Sequence, residues 1–513
     1  MAQPIFTANL DLLVTGIMPG VNEEHVPLWI KAYDVMMENS GLRPIPGLVR
    51  PYVDNGFFDG QDPPPGGLFE DQPTLFDETS NRVFLDAISS EPVKGIHVQK
   101  QSDGRLLAVW GTDTALFAFD STGVTDATRT RGPYSGNSSP SDIVDETHWS
   151  FAQWGDWVIA TNGVDKPQVL KYPTLKFEDL VGFPCDSAQH VRVLGPHLLA
   201  LNLTGMYAPT STAVGPNEFC WCKADDIEEW NPGVAPTAGL LPIRDFAGPI
   251  IATEHLGNVL LAYGESTVHV IEYGGQFLFT ANKGAIGVRA VSKNSVAPAG
   301  AQHIVLTQNG ILACDGQSFR QLAYPALGAW LEDVVDWTQR SRIVHVVDVR
   351  RSNAMWTLPG VEQDFVLVYN WLSDKITTAS RPFTAGTRVE SLWRPLCGFF
   401  NGDIRMMIDT PNDRAPELIT KPLLVANRTM HSFMDAVVGR WSGGAAQVQI
   451  KYGENQNELD SLPWQSLGSF SVRENILWAM REAMFVQLRI SSGGVKWLLT
   501  GIELVGKQGG GRL

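Results

Sequence analysis

From about His97 the chain repeats one pattern: an apolar run of strand length, closed by Gly, Asn or Asp, and then a second such run. Leu106-Leu-Ala-Val-Trp110-Gly precedes Ala115-Leu-Phe-Ala-Phe119-Asp, and Trp157-Val-Ile-Ala-Thr-Asn-Gly163 precedes Pro167-Gln-Val-Leu-Lys-Tyr172. His197-Leu-Leu-Ala-Leu-Asn202 is followed by Glu218-Phe-Cys-Trp-Cys222, and Asn258-Val-Leu-Leu-Ala-Tyr-Gly264 by Ser266-Thr-Val-His-Val-Ile271. Two more units run from His303 to Gly316 and from Arg342 to Tyr369, and a further one is offered by Val389 to Asp409. β-branched and aromatic residues fill the runs and tight-turn residues join them, so each run reads as a strand. The units start about 40 to 60 residues apart, which suits a repeat of a few strands that stacks against its neighbours in a ring. The pattern predicts an all-β chain whose body, 96–420, is a β-propeller of about six to seven blades. A set of unrelated β-sandwiches is the other arrangement it allows.

Both flanks differ from this body. Residues 1–95 carry Gly16-Ile-Met-Pro19-Gly20, Asn39-Ser-Gly-Leu-Arg-Pro-Ile-Pro-Gly47 and Gln61-Asp-Pro-Pro-Pro-Gly-Gly67. Such Pro and Gly density argues against a long helix and predicts an extended arm. Within it, Leu28, Ile30, Tyr33 and Met36 or Met37 are spaced as on a short amphipathic helix from Pro27 to Met37. Residues 421–513 read as a C-terminal β module with a flexible Gly-rich tail, its strands at Val448–Gly453, Trp464–Gly468, Met484–Ile490 and Trp497–Val505.

Charge narrows the function. Lys and Arg total 39 against 55 Asp and Glu, a formal net charge of −16 over 513 residues. A protein built to grip nucleic acid carries basic excess, so stable DNA or RNA binding is disfavoured. Cys185, Cys220, Cys222, Cys314 and Cys397 are too few and too scattered for a disulfide framework and read as buried thiols. The first residues lack the basic and apolar regions of a signal peptide, and no run of about 18 apolar residues occurs, so neither secretion nor a membrane span is expected.

Catalytic patterns are weak. No Gly-x-Ser-x-Gly, His-Glu-x-x-His, phosphate-cradling glycine loop or EF-hand loop is present. His269 and His345 fall inside strand runs and read as core or interstrand histidines. Asp54 to Asp62 has oxygen ligands enough for calcium but no fixed coordination order, so a hairpin turn is the better reading. Glu454 to Trp464 keeps the Trp of a sialidase-type Asp-box without its glycines. The carboxylates Asp225, Asp226, Glu228 and Glu229 lie in a charged loop that ends on Trp230; it reads as a solvated loop pinned by that indole. No catalytic residue, metal or cofactor is assigned.

Three stretches resemble the β-propeller tail hub or nozzle proteins of short-tailed bacteriophages, the packaged-DNA stabilisation type. They are Asn39–Gly47 in the arm; Phe219-Cys-Trp-Cys-Lys-Ala-Asp-Asp-Ile-Glu-Glu-Trp-Asn-Pro232; and Lys451-Tyr-Gly-Glu with Trp464–Gly468, Arg473, Trp478, Arg481, Phe485–Ile490 and Leu499–Leu504. Cys222 stands where that family has Ser, and the closing segment lacks its Asp-Gly-Gly. The resemblance implies a structural virion protein without enzyme activity: a homo-hexamer below the portal and adaptor, in contact with tail fibres or spikes. Such a ring conducts DNA without binding it specifically and is assembled in the bacterial cytoplasm. Asp225, Asp226, Glu228 and Glu229 are then candidates to line the channel, where like charge keeps the duplex from adhering. A tail-associated carbohydrate-binding or glycan-cleaving propeller is the alternative.

Overall fold

The computed structural model describes residues 5–10, 29–38, 41–49, 52–54, 57–58, 82–84, 89–120, 122–136, 147–246, 248–274, 278–323, 327–389, 394–408, 416–425, 432–493 and 496–508. The chain is nearly all β, built from many small antiparallel sheets. Six four-stranded sheets and a run of four strands at one end of a ten-stranded sheet follow one another, each with its strands paired in order. The first holds Gly95–Lys100, Leu106–Gly111, Leu116–Asp120 and Gly123–Asp126; the second Ser150–Trp154, Trp157–Thr161, Gln168–Leu170 and Phe177–Asp179. The third holds Ser187–Leu194, His197–Thr204, Glu218–Trp221 and Gly239–Pro242; the fourth Ala252–Leu256, Val259–Tyr263, Thr267–Tyr273 and Phe279–Ile286. Val296–Ala299, Gln302–Thr307, Gly310–Cys314 and Phe319–Gln321 make the fifth. After a helix, Leu327–Val334, the sixth holds Val344–Asp348, Asn353–Leu358, Phe365–Asn370 and Lys375–Ala379. The seventh takes Ala385–Val389, Arg394–Gly398 and Ile404–Ile408 from this part of the chain; its fourth strand is Gly47–Val49, from the N-terminal arm.

The second and third strands are apolar along their whole length because both faces are covered. Leu106–Gly111 and Leu116–Asp120 are buried at every position. One face of each sheet packs on the sheet before it and the other on the sheet after. Leu107, Val109 and Leu116 of the first sheet pack with Val158, Ala160 and Leu170 of the second. Ile159 and Val169 pack with Leu198 and Cys220, Leu199 and Phe219 with Leu260 and Ile271, and Leu261 and Val270 with Val305 and Leu312. Ile304 and Ala313 meet Trp356 and Leu367, and Met355 and Val366 meet Cys397 and Met407. Leu396, Ile404 and Met406 of the seventh sheet then pack with Ile96, Ala108, Trp110 and Phe119 of the first. Buried clusters thus join successive sheets, and one of them holds residues 93–119 together with residues 385–406. The hairpins between first and second strands turn through left-handed residues; Gly155 and Gly257 sit at φ +56° and +59°, where only glycine is unstrained.

The arm is woven into the rest. Of the stretch expected to be helical, the described residues are extended: Trp29–Tyr33 and Val35–Glu38 are strands, broken by Asp34 at φ +53°. A short run of Trp, Ile, Tyr and Val has little helical preference, and two sheets offer it hydrogen bonds. Trp29–Tyr33 pairs with Glu417–Thr420 and, through Tyr33 opposite Thr378, with the sixth sheet. The Asp34 carboxylate accepts from the Ser380 amide at 2.9 Å and its hydroxyl at 2.7 Å. Ile5–Leu10 and Gly41–Pro44 both pair with Trp497–Gln508.

The C-terminal module is two facing sheets. One runs Val35–Glu38, Gly41–Pro44, Trp497–Gln508, Ser432–Gly443, Ile476–Ala483; the other continues from the sixth sheet through Trp29–Tyr33, Glu417–Thr420, Phe485–Ser491, Ala446–Gly453, Gln465–Phe470. Val437, Trp441, Phe470, Leu488 and Leu504 fill the space between them, with Trp441 stacked on Trp497 at 4.6 Å. Glu417–Thr420 pairs with Phe485–Ser491.

Candidate functional site

First strands of neighbouring sheets pack side by side, and polar side chains gather where they converge. Arg192 of the third sheet donates to Ser150 Oγ of the second at 2.8 Å and to the Thr253 carbonyl of the fourth at 2.7 Å. Its guanidinium also lies 3.5 Å from Glu254. Lys293, just before the fifth sheet, donates from Nζ to the His148 carbonyl, just before the second, at 2.7 Å. His345 of the sixth sheet shares a hydrogen bond with the Asn294 carbonyl at 2.8 Å. Lys94, preceding the first sheet, lies 4.0 Å from Asp113, and both side chains are buried. The second to sixth sheets are therefore tied across their convergence by single side chains, and second and fifth sheets are bridged directly.

Burial without enough acid shifts these groups. It brings the Lys293 ammonium down to about 7, and Arg192 adds to the effect. Lys94 falls to about 8 through burial, despite the pull of Asp113 and with Arg342 pushing the same way. His148 falls to about 3 through burial and then the charges of Lys94 and Lys293; the Lys94 and Ser341 carbonyls only partly offset this. Burial raises Asp113. It also pushes Glu254 up, but Arg192 and the imidazoles of His303, His255 and His345 outweigh it and hold that carboxyl below its usual range. The result is a largely enclosed cluster in which cations and neutral imidazoles face few carboxylates.

Asp225, Asp226, Glu228 and Glu229 occupy the connection from the third to the fourth strand of the third sheet. Asp226 pairs with Lys223 at 3.2 Å, Glu228 pairs with Lys171, and Glu229 accepts from the Asn231 amide at 2.8 Å. Trp230 is buried and donates to the Ile227 carbonyl at 2.7 Å, while its own carbonyl accepts from the Tyr207 hydroxyl at 2.8 Å. His269 is buried against Phe246, and all five cysteines are buried and free of disulfides. Residues 55–56 and 59–62 of the Asp54 to Asp62 stretch lie outside the described residues; Tyr52–Asp54 pairs with Phe57–Phe58.

Sequence reasoning missed the convergent group of Lys94, His148, Arg192 and Lys293. These residues are roughly fifty or more positions apart and share no motif. The one available signal was position, each lying on or just before the first strand of a sheet.

No family model matches the chain, and no curated protein matches it. Among solved structures it is similar to a computationally designed protein, Ika8, at 12% identity and a TM-score of 0.34, over 63% of this chain and 98% of that one. A likeness that loose bears on neither fold nor function. Among the described residues no helix is long and apolar enough to cross a membrane.

Proposed function

We propose that this chain is a structural subunit of the tail nozzle or hub of a short-tailed bacteriophage, with a seven-bladed β-propeller as its body. The observation that supports the body is the series of buried clusters joining successive sheets, one of which holds residues 93–119 with residues 385–406, together with a seventh sheet completed by an N-terminal strand. Closing a ring with a strand from the other end of the sequence locks the circuit and leaves no open sheet face. The side chains of Arg192 and Lys293 bridge the sheets at their convergence, which leaves no room there for a duplex. The proposed DNA passage therefore runs between copies, not along a propeller axis. This requires a ring of subunits, and the chain's formal charge of −16 disfavours adhesion of a polyanion to its wall.

The C-terminal module carries the surface suited to assembly. Val472, Ile476, Trp478 and Met480 are exposed on and beside the terminal strand of its sheet; Trp478 is 68% exposed. Large apolar groups clustered at a sheet edge are characteristic of contact surfaces. In this reading Asp225, Asp226, Glu228 and Glu229 form a solvated loop on one subunit, available to face the shared passage.

Native mass spectrometry of the purified protein, alone and with a portal–adaptor complex, tests the proposal. A ring of copies that joins the adaptor supports it. A stable monomer that ignores the adaptor, or release of sugar from host polysaccharide, counts against it.

A further inference from the structure

Ile476–Ala483 is the last strand of its sheet and, among the described residues, pairs on one side only, with Ser432–Gly443. A free edge presents a row of backbone N–H and C=O groups, and such edges are normally shielded by proline, lysine or a covering segment. The other ends of the two facing sheets are unremarkable in this respect: Val35 and Met36 of Val35–Glu38 are buried, and Gln465–Phe470 opens on exposed Gln465 and Ser466. Ile476–Ala483 does the opposite. Ile476, Trp478 and Met480 stand exposed, while Leu477 and Ala479 between them are buried. The stretch from Ile476 to Met480 holds no charge; charge returns at both its ends, as Arg473-Glu474 and as Arg481-Glu482. Arg481 rests over the Tyr452 ring at 5.6 Å, and none of these four forms an ion pair among the described residues.

We propose that this edge pairs antiparallel with the same edge of a second copy of the chain, about a two-fold axis at Leu477. The order of the charges selects that partner. Two antiparallel copies set a plus–minus step against a minus–plus step, so Arg473 comes beside Glu482 and Glu474 beside Arg481 of the second copy, at both ends of the contact. The backbone fits this alignment. Between Trp478 and Arg481 the edge strand has one residue more than Ser432–Gly443 has between Ala436 and Met434, a bulge at Met480 with φ +47°. The pairing runs on past Ile476, where the Asn475 carbonyl accepts from the Gly439 amide at 2.8 Å. Counted along Ser432–Gly443, Glu474 and Arg481 therefore stand at equal distances on either side of Leu477, which lies opposite Val437. Ile476 of each copy then meets Trp478 of the other on one sheet face, and the apolar row leaves water as the backbone edge is paired. The inference goes beyond the nozzle reading and does not rest on it: a two-fold contact closes on itself, whereas a ring needs a further, head-to-tail surface.

Sedimentation-velocity ultracentrifugation of the full chain over a range of concentrations is the test. The parent is expected to form a dimer with a dissociation constant on the order of 1–10 µM, as suits one strand pair with a few apolar anchors. Trp478→Ser, at an exposed position, should leave the far-ultraviolet circular dichroism unchanged and weaken association by about 10-fold or more. Glu474→Arg alone sets like charge against Arg481 at both ends of the contact and should weaken it by a similar factor, about 10-fold, as should Arg481→Glu alone. Mixed in equal amounts, these two variants restore every opposite-charge pair and should associate within roughly 3-fold of the parent. A parent still monomeric at about 100 µM overturns the proposal. So does a mixture that associates no better than its components, or a dimer indifferent to Trp478→Ser. Association that occurs only with a portal–adaptor complex assigns the edge to another protein; it overturns this proposal and leaves the nozzle reading standing.

Discussion

Replacing Lys293 with Met measures what the bridge between the second and fifth sheets costs. The ammonium of Lys293 falls from 10.5 to about 7 because it is buried beside Arg192 with no acid to offset it. At 1.36 kcal/mol per pH unit, that lowering corresponds to roughly 4–5 kcal/mol of destabilisation by the charged form. Solvent reaching the ammonium and local relaxation reduce this to on the order of 2 kcal/mol. The hydrogen bond to the His148 carbonyl returns about 1 kcal/mol of it. Below pH 7 lysine is charged in both folded and unfolded states, so the folded protein bears the whole penalty. Between pH 7 and about 10.5 the folded state loses its proton first, the unfolded state binds more protons, and stability rises with pH. Lys293→Met removes the titration. It should therefore be about 1–2 kcal/mol more stable than the parent at pH 6, with the gap closing by pH 10. Lys94 titrates in both proteins and largely cancels in the difference. Urea denaturation followed by tryptophan fluorescence in phosphate-free buffer at pH 6, 8 and 10 measures it. A variant less stable than the parent at pH 6, with a gap that ignores pH, refutes the reasoning and makes Lys293 a net stabilising strut.

Other substitutions test the packing. Phe119→Ala, at a fully buried position between the seventh and first sheets, should cost about 3–5 kcal/mol in urea denaturation. Gly111→Ala would place a methyl 2.2 Å from the Trp149 indole, which is also fixed by its Nε1 bond to the Thr112 carbonyl at 2.8 Å; a loss of about 1–3 kcal/mol is expected, with altered near-ultraviolet circular dichroism. Asp34→Ala removes the acceptor of two bonds from Ser380 at a left-handed backbone position and should speed limited proteolysis of the arm; Asp34→Asn, which tolerates that backbone, should do so less.

What the sequence made legible follows from burial. Second and third strands such as Leu106–Gly111 and Leu116–Asp120 are covered on both faces, so they appear as unbroken apolar runs. First strands such as Ala252–Leu256, Ala-Thr-Glu-His-Leu, carry polar groups toward the convergence. Fourth strands such as Phe319–Gln321 are short and exposed. Neither kind stands out from loop. Strands whose partners lie hundreds of residues away, Gly47–Val49 and Trp29–Tyr33 among them, have no local signal at all, because their pairing is decided by the assembled sheets. The same holds for Lys94, His148, Arg192 and Lys293, whose chemistry exists only once sheets from separate parts of the chain meet. The Trp230 anchor was readable because a large indole in a charged loop has few places to go.

Electron cryomicroscopy of the purified protein, at a resolution that separates strands, tests the central claim most directly. The account predicts seven four-stranded blades in a closed circle, the seventh ending in residues 47–49, side chains meeting across its centre, and any open channel lying between copies. Separate sandwich lobes, or an open tunnel through the middle of a single chain, would contradict it.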